Sequence, residues 1–293
     1  MRVLMIVKAS KESEAGVLPD EKLLSAMGRY NESLVKANVL LSGDGLKASS
    51  NGWRVKCSKG KVTVTDGPFS ETKELVAGFW LVNVKSLDDA VEWAKKVPFQ
   101  DGEVELRPLF EVEEFPVDPK EDPEGWRKKE LEFRAKAAPA RRPGTKRYMG
   151  LLKADKNTEA GVMPDEKILT AMGAFFDEGV KAGVILAGEG LHPSSKAKRV
   201  RYSGAKRTVI DGPFAETKEL VAGYAILQYA SKEEALDWTK RFVQVDAPGR
   251  LNGECECELR PFFELEDFPV SPAEKPGGWR DAEKKMRDEG KLG

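Results

Sequence analysis

The sequence predicts an α+β protein made of two tandem copies of one small unit whose sheets are buried against each other. Three observations lead there: a long segment is written twice, the hydrophobic period alternates between strand and helix values in the same order in each copy, and each copy's sheet would have one face without helices. The chain has 293 residues, which suits two units of roughly 100–150 residues better than one.

The duplication is plain in two stretches. Glu14 to Lys22 returns as Glu159 to Lys167, and Asp66-Gly67-Pro68-Phe69 with the residues to Gly78 returns as Asp211-Gly212-Pro213-Phe214 with the residues to Gly223. About half of the aligned positions are identical. The second copy carries a short insertion around Asp246 to Gly253, after which Leu259-Arg260-Pro261 answers Leu106-Arg107-Pro108.

Within the first copy, Arg2 to Val7 reads as a strand. Pro19 suits a first helical turn, and Leu23, Leu24, Met27, Tyr30 and Leu34 fall on one face of the helix that follows. Val39 to Leu41 reads as a buried strand ending in the turn Gly43-Asp44-Gly45. Trp53 to Ser58 and Val62 to Thr65 make a hairpin around Lys59-Gly60, and Leu75 to Val84 is a further strand. Ser86 caps a second helix carrying Ala90, Val91 and Trp93, and Glu103 to Val112 closes the unit. This is a ferredoxin-like split β-α-β unit with an added hairpin. Its bare sheet face needs a partner, and the second copy supplies one, face to face or around a barrel with pseudo-two-fold symmetry.

The boundaries follow from composition: a first unit over 1–115, a proline- and charge-rich linker with a docking helix over 116–145, a second unit over 146–268 and a tail over 269–293. Trp126 and Trp279 stand in matching Gly-Trp-Arg segments and are the expected anchors that clasp the halves.

Composition narrows the function. Lysine plus arginine number 48 against 49 aspartate plus glutamate, so no positive surplus exists to meet nucleic acid or an anionic membrane. The apolar run at the start is too short to span a bilayer and lacks a cleavage site, and the three cysteines, Cys57, Cys255 and Cys257, show no zinc spacing. A cytoplasmic protein without a metal or other cofactor is expected, with Cys255 and Cys257 as packing residues on one strand face.

His192 is the chain's single histidine, and imidazole is the side chain suited to proton transfer near neutral pH. It stands in a loop beside Glu189, so that Glu189 or Asp211 would orient it as acid or base, and Lys47 and Asp44 are the first-copy counterparts of His192 and Glu189, so histidine chemistry is confined to one of two equivalent places. The alternative is a loop histidine that caps backbone groups. Asp211 admits the same two readings: a turn-forming residue in a loop whose Phe214 plugs the core, or a carboxylate in an inter-domain cleft. There it would pair with His192 or with a cation such as Lys153, Arg199 or Arg201, binding a small polar metabolite. Gly188-Glu189-Gly190 precedes a proline and another strand, not a helix, which argues against a phosphate cradle. Arg107 and Arg260 lie in strands of alternating charge, the pattern of an edge or solvent-facing strand. A serine-elbow motif and clustered metal ligands are not seen.

The doubled Asp-Gly-Pro-Phe signature, with Gly188-Glu189-Gly190-Leu191-His192-Pro193, resembles the YCII-related family, specifically its DGPF-domain branch. The resemblance implies a dimeric α/β-barrel of ferredoxin-like halves, here fused in one chain. It also implies either a cleft with an acid and a histidine, as in YCII-like proteins suspected to be enzymes, or a non-catalytic accessory module linked to an extracytoplasmic-function sigma factor.

Overall fold

Local capping sets where the helices begin. In the computed structural model, which describes residues 1–69, 75–115, 125, 128, 131–132, 141–214, 220–268 and 278–290, the first repeat runs β1 (Arg2–Lys8), α1 (Lys11–Glu14), α2 (Glu21–Lys36), β2 (Leu40–Gly45), β3 (Trp53–Ser58), β4 (Lys61–Asp66), β5 (Val76–Asn83), α3 (Leu87–Lys95) and β6 (Asp101–Pro108). The second runs β7 (Lys146–Lys153), α4 (Lys156–Glu159), α5 (Glu166–Lys181), β8 (Ile185–Gly190), β9 (Lys198–Ser203), β10 (Lys206–Asp211), β11 (Val221–Tyr229), α6 (Lys232–Asp246) and β12 (Glu254–Pro261), and α7 (Trp279–Asp288) follows. Asp20 and Asp165 cap α2 and α5 by accepting from the amides of Leu23 and Ile168, so Pro19 lies just outside the helix rather than in its first turn. Ser86 and Ser231 cap α3 and α6 in the same way.

Each repeat's own strands stand in the order β6-β1-β5-β2 or β12-β7-β11-β8, all antiparallel, which is the ferredoxin-like arrangement. The hairpins are exchanged. β9 and β10 of the second repeat add to β6 of the first, and β3 and β4 of the first add to β12 of the second, giving two six-stranded sheets. β6 and β12 are therefore interior strands, and Glu105, Arg107, Glu258 and Arg260 are buried rather than facing solvent. A sequence reading that places each hairpin in its own sheet leaves those strands at an edge. β2 also differs from expectation. It runs through Gly43-Asp44-Gly45, paired to β5, and glycine at 43 lets the Trp80 ring lie against the strand, since a side chain there would meet that ring 2.9 Å away.

Alternation along the strands buries both sheet faces. Val3, Met5, Trp80, Val82, Val104 and Leu106 pack under α2 and α3, together with Val200 and Tyr202 from the exchanged hairpin. Leu4, Ile6 and Phe79 point the other way, into a core shared with Met149, Leu151, Tyr224 and Ile226 of the second repeat. Bridges from Leu46 to Phe262 and from Leu109 to Leu191 tie the two sheets at their ends. Cys255 lies opposite Cys57 across β12 and β3, and both are buried with Cys257, whose thiol burial pushes up to about 12. Such thiols serve as packing.

Trp279 docks at the start of α7. It is 8% exposed, sits edge-on to Phe268 with ring centroids 5.5 Å apart, and its Cβ lies 3.7 Å from where a side chain at Gly28 of α2 would begin. Met286 enters the first repeat's core, and Arg287 pairs with Asp44 at 2.8 Å. Trp126 falls outside the described residues. Trp279→Ala is expected to lower stability by about 3 kcal/mol, the low end for a buried tryptophan, read as a shift of the urea midpoint at unchanged slope; no shift would mean that α7 is not held by this side chain.

Candidate functional site

Two matched ionic clusters form where the exchanged hairpins meet the last strands. In the first, Glu105 is ringed by Lys8 Nζ at 3.2 Å, Arg107 Nη1 at 3.0 Å and Arg199 Nη2 at 2.7 Å. Burial alone would raise the Glu105 carboxyl, but Lys8, Arg107 and Arg199 outweigh it and hold the group at about 2. Arg107 also donates through Nε and Nη2 to the backbone carbonyl of His192 at 3.0 and 2.6 Å, and through Nη2 to Glu159 at 3.1 Å. Glu159 accepts in turn from the amide and hydroxyl of Ser194, whose oxygen accepts from the Phe214 amide at 3.2 Å. The Arg199 guanidinium lies 3.8 Å over the Phe214 ring.

The second cluster repeats this with the halves interchanged. Glu258 meets Lys153 at 3.4 Å, Arg54 at 2.8 Å and Arg260 at 3.1 Å; Arg260 donates to the Lys47 carbonyl and to Glu14; Ser49 links Glu14 to the Phe69 amide; Arg54 covers the Phe69 ring. The Asp-Gly-Pro-Phe loops thus belong to a brace. Phe214 is half-buried beneath Arg199 instead of plugging the core. Both Gly-Pro peptides are cis.

The candidates expected from sequence are spread over several places. His192 is buried, its Nε2 lies 3.1 Å from Glu114 and its ring 4.0 Å from that of Phe110. Burial lowers its pKa, partly offset by Glu114. The anticipated pairing with Asp211 or Glu189 is replaced by this contact, which Lys47 mirrors by meeting Asp267 at 2.6 Å. Asp211 is exposed and pairs with Lys198 at 2.7 Å. Glu189 meets Arg2 and the Tyr224 hydroxyl. Lys153 belongs to the second cluster and Arg199 to the first, while Arg201, more exposed, shares Glu103 with Arg199.

A separate feature is a cavity of about 240 Å³ under α5, walled by β7, β8 and β11 of the second sheet and by α6, with Phe110 and Phe115 of the first repeat at one side. Its walls are mainly apolar, among them Met172, Phe176 and Leu227, with Glu189, Asp246 and Arg250 as charged members. Sequence reasoning centred on the histidine misses this place. The signal was present in the repeat itself: Gly150 lies opposite Ala225 across β7 and β11, whereas the equivalent cross-strand pair of β1 and β5 is Met5 and Trp80. In the first repeat Met5 and Trp80 are buried, and the Trp80 indole donates to Asn31 at 2.9 Å, filling the corresponding volume.

Taken together, the ferredoxin-like strand order, its exact doubling in sequence order and the exchange of hairpins define a class of tandem α+β proteins whose two units complete each other. The model of the YCII-related domain matches residues 1–113 and again 147–251, and the chain belongs to that family. It is also similar to a protein of Rhizobium meliloti (strain 1021) that is named only as uncharacterized, with 37% identity over 76 residues, 26% of this chain and 61% of that relative. Among the described residues no helix is long and apolar enough to cross a membrane.

Proposed function

We propose that this protein binds one compact, largely apolar small molecule in the cavity under α5. The observation that carries the reading is the substitution of Gly150 and Ala225 for the Met5 and Trp80 that fill the equivalent place in the first repeat. Close packing is the rule in protein interiors, and apolar space left empty forfeits contacts on every wall. At about 240 Å³ the cavity lies below the ~300–1,000 Å³ typical of sites for drug-sized ligands, which favours a small metabolite. Phe110 and Phe115 would bring the first repeat into contact with it.

Closure of the two sheets into a pseudo-two-fold barrel is part of the same proposal, and what supports it is the pair of bridges between the repeats, Leu46–Phe262 and Leu109–Leu191, of which Leu191 also lines the cavity. The doubled Asp-Gly-Pro-Phe loop supports placement in the DGPF branch. Binding alone is proposed: His192 stands behind Phe110 with Nε2 on Glu114, and it does not line the cavity.

The test transplants the first repeat's filling into the second. Wild type and a variant carrying Gly150→Met, Phe176→Asn and Ala225→Trp are screened against a metabolite collection by thermal shift, because a ligand that binds the native state alone raises its melting temperature. Compounds that shift wild type and leave the filled variant unmoved are the expected result. Compounds that shift both equally, or none that shifts wild type, would overturn the reading.

A further inference from the structure

The first repeat shows what the cavity lacks. There Tyr30 of α2 meets the Trp80 indole edge-on, with ring centroids 5.3 Å apart and planes at 78°. Phe175 of α5 stands in the place of Tyr30, by the same offset that puts Ala225 in the place of Trp80. One ring of an edge-on pair is kept and its partner is gone.

The floor left behind is flat. Gly150, Ala225 and Gly188 are in register across β7, β11 and β8, so three neighbouring strands present nothing larger than a methyl group. Phe176 covers the Gly188 end, its ring 2.6 Å from where a Cβ would stand, and Leu227 comes within 3.2 Å of the same point on Gly150. These side chains narrow the space without closing it. About 240 Å³ remains, more than the ~150 Å³ in which an apolar protein cavity holds benzene.

The helix side of the cavity is aromatic. Phe175 has Phe176, Trp238 and Phe242 around it at centroid distances of 6.3, 5.6 and 5.9 Å, and all four residues line the cavity. Phe242 is available because α6 runs on to Asp246, whereas α3 ends at Lys95. Rings packed edge-to-face or offset gain attraction beyond the burial of their area. The charged members of the wall are already matched, Glu189 by Arg2 and Asp246 by Arg250, so a charge on the ligand would enter without a counterion.

Resting on the cavity-binding reading, we infer that the ligand is a neutral aromatic molecule, one ring with a short substituent, that lies on the Gly150–Ala225 floor against the rings of Phe175 and Phe176. The Trp80 indole of the first repeat is its counterpart within the same chain.

Four matched probes test this by calorimetric titration: phenethyl alcohol, its saturated analogue cyclohexaneethanol, the cation phenethylammonium and the anion phenylacetate. Burial alone favours the saturated ring, which has the larger apolar surface. Wild type is nevertheless expected to bind phenethyl alcohol about three- to tenfold more tightly than cyclohexaneethanol, the effect of one or two ring contacts, and about tenfold or more above either charged probe. Phe175→Leu and, separately, Phe176→Leu should bring the ratio of the two alcohols to one or below; that ratio, unlike either affinity, is unmoved by a general loosening of the core. The filled variant Gly150→Met, Phe176→Asn, Ala225→Trp should bind none of the four. Cyclohexaneethanol binding as tightly as phenethyl alcohol, or a charged probe binding tightest, overturns the aromatic inference and leaves the cavity reading standing. Failure of all four probes to bind wild type, or undiminished binding to the filled variant, overturns both.

Discussion

Gly212→Ala is expected to unfold the protein or to lower its stability by more than about 4 kcal/mol, the range reserved for severe steric or buried-charge defects. A Cβ at Gly212 would stand 1.8 Å from the Ser194 carbonyl oxygen and 2.8 Å from its carbon. That carbonyl has little freedom to retreat: Ser194 is held by Glu159 through its amide and hydroxyl, its hydroxyl oxygen accepts from the Phe214 amide, and the Gly212 amide donates to the Ala197 carbonyl at 3.0 Å. Gly67→Ala is expected to behave alike, with its Cβ 1.9 Å from the Ser49 carbonyl oxygen. Gly16→Ala is the control, since that glycine has a φ of +76° but nothing within 4 Å; its cost is backbone strain alone, about 1 kcal/mol. Urea denaturation of the three variants checks the ranking, and a Gly212→Ala protein as stable as Gly16→Ala would show that the loop is not packed against the Ser194 turn.

Arg107→Met is expected to cost about 3–5 kcal/mol, because it removes a cation from a buried cluster and leaves carboxylates behind. Glu105 and Glu159 lose a partner, and so does the His192 carbonyl. The same cluster sets an acid limb of stability. Glu105 has a folded pKa of about 2 against an ordinary 4.5, so the unfolded chain takes up the proton first as pH falls. Its stabilising contribution is complete above about 4.5 and is lost as pH drops toward about 2. Without Arg107 the carboxyl keeps Lys8 and Arg199 but is held less far down, so the loss begins at higher pH. Urea midpoints measured across the acid range for both proteins test this; parallel curves would show that Arg107 does not govern Glu105.

The repeat, the strand and helix order and the cap at Ser86 were legible because each follows from local periodicity or a local hydrogen bond. The destination of the hairpins was not. Alternation along Trp53–Ser58 says which side chains are buried but is silent on which strand lies alongside, and β12 satisfies it across the repeat boundary. The same blindness affects charge: Glu105 and Arg107 alternate as they would on a wet edge, yet they are buried because the other repeat's Arg199 and Glu159 arrive to meet them. For the candidate site, the lone histidine drew notice because its chemistry is distinctive. Gly150 and Ala225 carry no chemistry, and their meaning appears only beside Met5 and Trp80.

The exchange of hairpins makes cooperativity a property of the connectivity. For the first repeat to melt by itself, β6 must release β9, and with it the outer hairpin of its own sheet, while β3 and β4 must leave β12 and strip the flank of the second sheet. Each repeat therefore withdraws two strands from its neighbour when it opens, and each ionic brace contains members of both. Partial unfolding has no inexpensive boundary at which to stop, so the chain behaves as one folding unit even though its sequence is written as two.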